Sequence, residues 1–138
     1  MRQTKGFTMI ELIVTLAVLA ILVAIAIPSY NSLMPRYRLN GAARQVATDL
    51  MKARMQAVKL STNVTVTFTT TSYTISGGSY SETFNILSQY PSVSLSSSGG
   101  ALIFHPRGTA ENTVTVTVFN SSDSKQIQIN IAGRVKQL

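Results

Sequence analysis

The chain has 138 residues, 12 of them basic against 5 acidic for a net charge of +7, and no cysteine. That length holds one domain with room for a long helix but not two domains, and whatever core it builds must stand without disulfides. With a single histidine and carboxylates scattered at Glu11, Asp49, Glu82, Glu111 and Asp123, the chain carries no nucleophile, metal or phosphate-cradling pattern. This sets catalysis aside and implies no cofactor, metal or small-molecule substrate.

The first feature along the chain is an apolar run. Phe7 to Ile27 is 21 residues with Glu11 as its only charge. At about 1.5 Å per residue a helix of that length reaches roughly 31 Å, the thickness of a bilayer's hydrocarbon core. A lone span must satisfy its backbone internally, so residues 7–28 are predicted to form a membrane helix. Arg2 and Lys5 precede it without an acid, so positive-inside bias holds the N-terminus in the cytoplasm and sends the remainder across. Glu11 has no place in a plain anchor, since an ionised group within a span costs about 3 kcal/mol and calls for a partner or a task. A secretory signal peptide is an alternative, with Ala24-Ile25-Ala26 as an A-x-A site. The 16-residue run from Leu12 to Ile27 is long for it, and Glu11 at its start is unexpected.

Pro28, Ser29, Tyr30 and Pro35 follow, and they predict a kink or a short unwound stretch between Ile27 and Arg36. Helix resumes over 36–60, where Leu39, Ala42, Ala43, Val46, Leu50, Ala53 and Ala57 recur at spacings of three and four as one apolar stripe. Arg36, Arg38, Arg44, Lys52, Arg54 and Lys59 occupy much of the remaining surface, with Asp49 the only acid among them. They form either a solvated face or a contact surface for neighbouring subunits or polyanions.

Beyond Leu60 the hydrophobic period drops to two. Val64, Val66 and Phe68, then Val114, Val116 and Val118, then Ile127, Ile129 and Ile131 alternate with polar residues and predict three half-buried strands. Asn120 to Ser124 is a turn-rich link that suits a hairpin between the last two. Weaker strand candidates are 72–76, 83–87, 92–95 and 102–104, punctuated by Gly77-Gly78, Ser96 to Gly100 and Pro106-Arg107-Gly108. The helical stripe can cover these strands. The expected fold is α+β, a long N-terminal helix with an apolar stalk and an amphipathic half packed on a small antiparallel β-sheet head. The head spans 29–138, with its helix at 36–60 and its β-region at 62–138. His105, alone before Pro106, is expected to serve the loop structurally.

Lys5-Gly6-Phe7-Thr8-Met9-Ile10-Glu11-Leu12 followed by an apolar run resembles the N-terminal signal of type IV pilins and type II secretion pseudopilins. The resemblance implies that a prepilin peptidase cuts after Gly6, removing residues 1–6 as a leader, and methylates Phe7. It also implies an assembly role for Glu11, the fifth residue of the mature chain. The chemistry agrees. Cleavage frees an α-amine of pKa roughly 8, which a carboxylate four residues along a helix can meet in its own chain or a neighbour's. The helix N-terminus also favours an anion.

A second set of motifs, A-x-D-L-x-x-A-R-x-x-A-V (Ala47 to Val58), F-H-P-R-G (Phe104 to Gly108) and G-R-V-K (Gly133 to Lys136), resembles the GspH/FimT branch of minor pilins and pseudopilins. This implies a non-enzymatic subunit at or near the tip of a type IV pilus or a type II secretion pseudopilus, with other pilins or pseudopilins as partners. Before assembly it would sit in the bacterial inner membrane with its head in the periplasm. Some FimT-type members bind DNA through a C-terminal G-R-x-R, which implies Arg134 and Lys136, with Arg107, as candidate DNA-binding residues serving uptake in natural transformation. Lys136 keeps the charge of that motif's last arginine without its bidentate fork. Without residues 1–6 the side-chain balance is +5. A basic exported head favours DNA, anionic headgroups or acidic proteins.

Overall fold

The computed structural model describes residues 6–138. The expected leader, with Arg2 and Lys5, lies outside the described residues apart from Gly6. Two units are distinguished, the residues up to Met34 and Pro35–Leu138. One helix, α1 (Met9–Leu60), contributes to both.

In the first unit Met9–Ile27 has a mean hydropathy of 3.0 and no buried side chain, so by length and composition it can cross a membrane. The unwound stretch expected between Ile27 and Arg36 is absent, because α1 stays helical through Pro28 and Pro35. A proline in a helix removes one hydrogen bond and crowds the preceding turn. That loss is local, and bonding on either side carries the chain across.

In the second unit the predicted stripe is the core face of the helix. Leu39, Ala42, Ala43, Val46, Leu50, Ala53 and Ala57 are all buried, and Ala47 joins them. Alanine dominates the stripe, with Ala42, Ala43, Ala53 and Ala57 fully buried. Eight strands cover it: β1 (Val64–Phe68), β2 (Ser72–Gly77), β3 (Tyr80–Asn85), β4 (Ser94–Ser97), β5 (Leu102–Phe104), β6 (Val114–Phe119), β7 (Ser124–Ile129) and β8 (Val135–Gln137). They form two antiparallel four-stranded sheets, ordered β3-β2-β1-β5 and β4-β6-β7-β8. The α+β class stands, but the head has two sheets sharing one helix. Val64, Val66 and Phe104 from the first sheet meet Val114, Val116, Val118, Ile127 and Ile129 from the second in one core.

Several strand limits differ from expectation. Residues 86–87 are not strand but open a short helix, α2 (Ile86–Gln89), because Asn85 caps it by accepting from the Ser88 N–H at 3.1 Å. Ser92 lies outside β4 with a positive φ of 70°. Ile131 leaves the third strand and is exposed. It rides a turn in which the Gly133 N–H donates to Asn130 O at 2.8 Å and the Arg134 N–H to Asn130 Oδ1 at 2.9 Å.

Asp49 corrects the reading of the helix surface, since it is buried rather than part of a solvated face. Its carboxylate accepts from the Tyr73 hydroxyl at 2.5 Å and from Lys52 Nζ at 2.9 Å. Burial, and then the hydrogen bond to Asp49, pushes the Tyr73 hydroxyl well above its ordinary pKa. A bond to a carboxylate contributes about 1.5–3 kcal/mol, so Tyr73→Phe lowers stability by that order, measured as a shift in urea midpoint by circular dichroism. The pH dependence has a definite sign. Unfolded Tyr73 releases its proton near pH 10 while the folded form retains it, so folding binds the proton and stability falls as pH rises above about 10. Tyr73→Phe makes that alkaline decline shallower.

Candidate functional site

Two regions hold the residues singled out by sequence. The first is the start of α1. Gly6, Phe7 and Thr8 precede the helix, and Phe7 is exposed. Thr8 caps the helix, its Oγ1 accepting from the Glu11 N–H at 3.3 Å and its carbonyl from the Leu12 N–H at 3.2 Å. Thr8-Met9-Ile10-Glu11 is thus the S/T-x-x-E pattern of a helix N-terminus, a signal that the sequence carried beside the pilin-like one. The Glu11 carboxylate lies exposed in the first turn and makes no hydrogen bond among the described residues.

The second region gathers the three motifs of the head at one point. Arg54, from the helical motif, donates from Nε to Gly108 O at 2.7 Å. Gly108 closes the loop after β5, its N–H donating to His105 O at 2.8 Å, while the His105 N–H donates to Thr109 O at 2.8 Å. The His105 ring places Nδ1 3.2 Å from Asn63 Oδ1, tying this loop to the one after α1. Gly133 packs against the same carbonyl. A Cβ there would sit 2.0 Å from Gly108 O and 3.0 Å from Arg54 Nε. Both glycines have positive φ, 78° at Gly108 and 72° at Gly133, a region that side chains rarely enter.

Around this contact lies an open groove of about 610 Å³. Met51, Met55, Val58 and Val135 form an apolar lining, and the cations are Arg54, Lys59, Arg107 and Arg134, with no acid among the lining residues. Arg107 and Arg134 are therefore brought together. Lys136 is not in the groove. It lines a separate recess of about 170 Å³ with Gln128, Asn130 and Arg134. The fold merges part of the helix cations and part of the C-terminal cations in one groove. Arg54 and Lys59 reached that groove unannounced, because nothing in their own spacing signals residues 107 and 134.

A family model for type II transport protein GspH matches residues 42–133, and a model for the prokaryotic N-terminal methylation motif matches residues 1–27. The type IV minor pilin FimU of Pseudomonas aeruginosa superposes with a TM-score of 0.62 at 17% identity, over 75% of this chain and 90% of that one. The minor pseudopilin EpsH from the type 2 secretion system of Vibrio cholerae gives 0.59 at 11% identity, over 73% and 96%. A fimbrial protein of Pseudomonas aeruginosa is 43% identical over 47 residues, 34% of this chain, and the chain spans 30% of that relative's length. The two structures share the fold of a helix bearing a β-rich head. The GspH match takes in Asp49, Arg54 and both contact glycines and covers more than half the chain. The chain therefore belongs to the GspH family of minor pilins and pseudopilins, structural subunits rather than enzymes.

Proposed function

We propose that this chain is cut after Gly6, methylated at Phe7, and held in the inner membrane by residues 7–28 until that helix leaves lipid to pack with the stalks of other subunits, at or near a filament tip. The observation that carries this reading is the unburied Met9–Ile27 helix in the same chain as a GspH head. A helix that apolar needs lipid or other helices around it. Positive-inside bias from Arg2 and Lys5 supports a cytoplasmic N-terminus and a periplasmic head. Gly6 and Phe7 lie outside the helix, in chain that a peptidase can take up without unwinding it. Glu11 pairs with a neighbour's methylated amine during assembly, a charge-assisted contact in an apolar setting.

A second reading, a DNA-binding minor pilin in DNA uptake, is favoured by one observation: Arg107 and Arg134 line the same groove, with Lys136 beside Arg134 on the adjoining face. Such contacts would hold phosphates without reading bases.

Mass spectrometry of membrane-extracted protein is expected to find a chain starting at methylated Phe7; a start at Ile27 would identify an ordinary signal peptide instead. Glu11→Val is expected to leave insertion and cleavage intact and to remove the subunit from sheared filaments, as read by immunoblot. For the DNA reading, the full chain in neutral nanodiscs should bind duplex with a log–log salt slope of roughly −2 to −3, the mark of two or three phosphate contacts. Arg134→Gln/Lys136→Gln should flatten that slope.

A further inference from the structure

We infer that the groove beside β8 takes an extended segment of a different, acidic polypeptide, which adds to the sheet as a fifth strand with alternating apolar and acidic residues. This goes beyond the subunit role proposed above by naming the chemistry of one partner.

β8 is an edge strand of the sheet β4-β6-β7-β8. The Asn130 N–H donates to Arg134 O at 3.2 Å and the Leu138 N–H to Gln126 O at 2.8 Å, and Gln128 stands opposite Lys136. In an antiparallel ladder such pairs alternate with unbonded ones. Residues 134, 136 and 138 therefore face β7, and Val135 and Gln137 turn their N–H and C=O groups outward. None of the described residues pairs with that side of β8. An open edge is a template for one more strand.

The groove lies where that strand would run. Val135 is one of its lining residues, and Met51, Met55 and Val58 of α1 supply the rest of the apolar surface. Met55 is 70% exposed, a large apolar group left to water in the head. Face continuity then fixes the occupant's pattern. Val135 packs toward the core while Arg134 and Lys136 are exposed on the other face. Cross-strand neighbours share a face, so a residue opposite Val135 would cover the methionines and is apolar. Residues opposite Arg134 and Lys136 would lie beside cations and are acidic.

Charge decides whose segment it is. A second copy brings its own positive charge, and the exposed acids of its head, Glu82, Glu111 and Asp123, sit on three separate segments. The cations on β8 repel another β8, a device by which edge strands avoid self-pairing. They attract an acidic strand.

The test uses the full chain in phosphatidylcholine nanodiscs. Its probe is a fluorescein-labelled octapeptide of alternating valine and glutamate, read by anisotropy. Binding at micromolar concentration is expected. The same residues in a Val-block, Glu-block order, and a valine–lysine octapeptide, should bind at least about tenfold more weakly, as should the alternating peptide to Arg107→Gln/Arg134→Gln. Val135→Pro removes an outward N–H that an edge strand can spare and is expected to weaken binding similarly, with a small fall in urea midpoint from the loss of a half-buried side chain. Met55→Glu, at an exposed position, provides the same check should the proline variant fold poorly. Equal binding of the block peptide would reduce the effect to charge attraction and overturn strand addition. Tighter binding of oligothymidylate with the same arginine dependence would make the groove a nucleic-acid site, and absence of peptide binding would leave β8 as a guarded edge; each overturns the inference.

Discussion

The contact among Arg54, Gly108 and Gly133 is the constraint on which the head depends. Three segments far apart in sequence meet there: the helix, the loop after β5 and the turn before β8. The guanidinium donates to a part-buried loop carbonyl at 2.7 Å. The turn glycine approaches that same carbonyl more closely than any side chain allows. Because β5 belongs to one sheet and β8 to the other, this point closes the two sheets against each other over the end of the helix. It also sets the groove, whose cations stand where they do because the loop and the turn are pinned together.

The two parts of α1 show how one secondary structure serves two solvents. Apart from Glu11, residues 9–27 are overwhelmingly apolar and unburied, the pattern of a helix meant for lipid or for other helices. Residues 39–57 bury one alanine-rich stripe and expose arginines and lysines elsewhere. In the first the sequence specifies only an environment. In the second it specifies a rotational setting, because a turn of the helix about its axis would drive a cation into the core.

Legibility followed locality. The helical stripe was readable because its seven positions follow a 3.6-residue period, and all seven are buried. β1 and β6 were readable because valines alternate with threonines over enough residues to exceed chance. β8 was not among the named strand candidates, since three residues with one half-buried valine carry no periodic signal. The burial of Asp49 was in fact legible. It lies three residues after Val46 and four before Ala53, on the stripe itself, and a carboxylate there needs partners of the kind Tyr73 and Lys52 provide. The groove was not legible, because pairing residues 54, 59, 107 and 134 depends on sheet order. Of the three candidate cations at the C-terminal side, Arg107 and Arg134 line one groove while Lys136 falls on the neighbouring face.

The length over which the helix engages the head has a mechanical consequence. Asn120 Nδ2 donates to Pro35 O at 2.9 Å where the head begins, Leu39, Val46 and Leu50 share one buried core with residues of both sheets along the middle, and Arg54 is tied near the far end. A pull on the helix along its axis loads these contacts in parallel, so they resist as in shear and must yield together. A peeling force would instead meet them one after another and succeed at a much lower load. The head therefore resists axial traction on its helix better than it resists peeling.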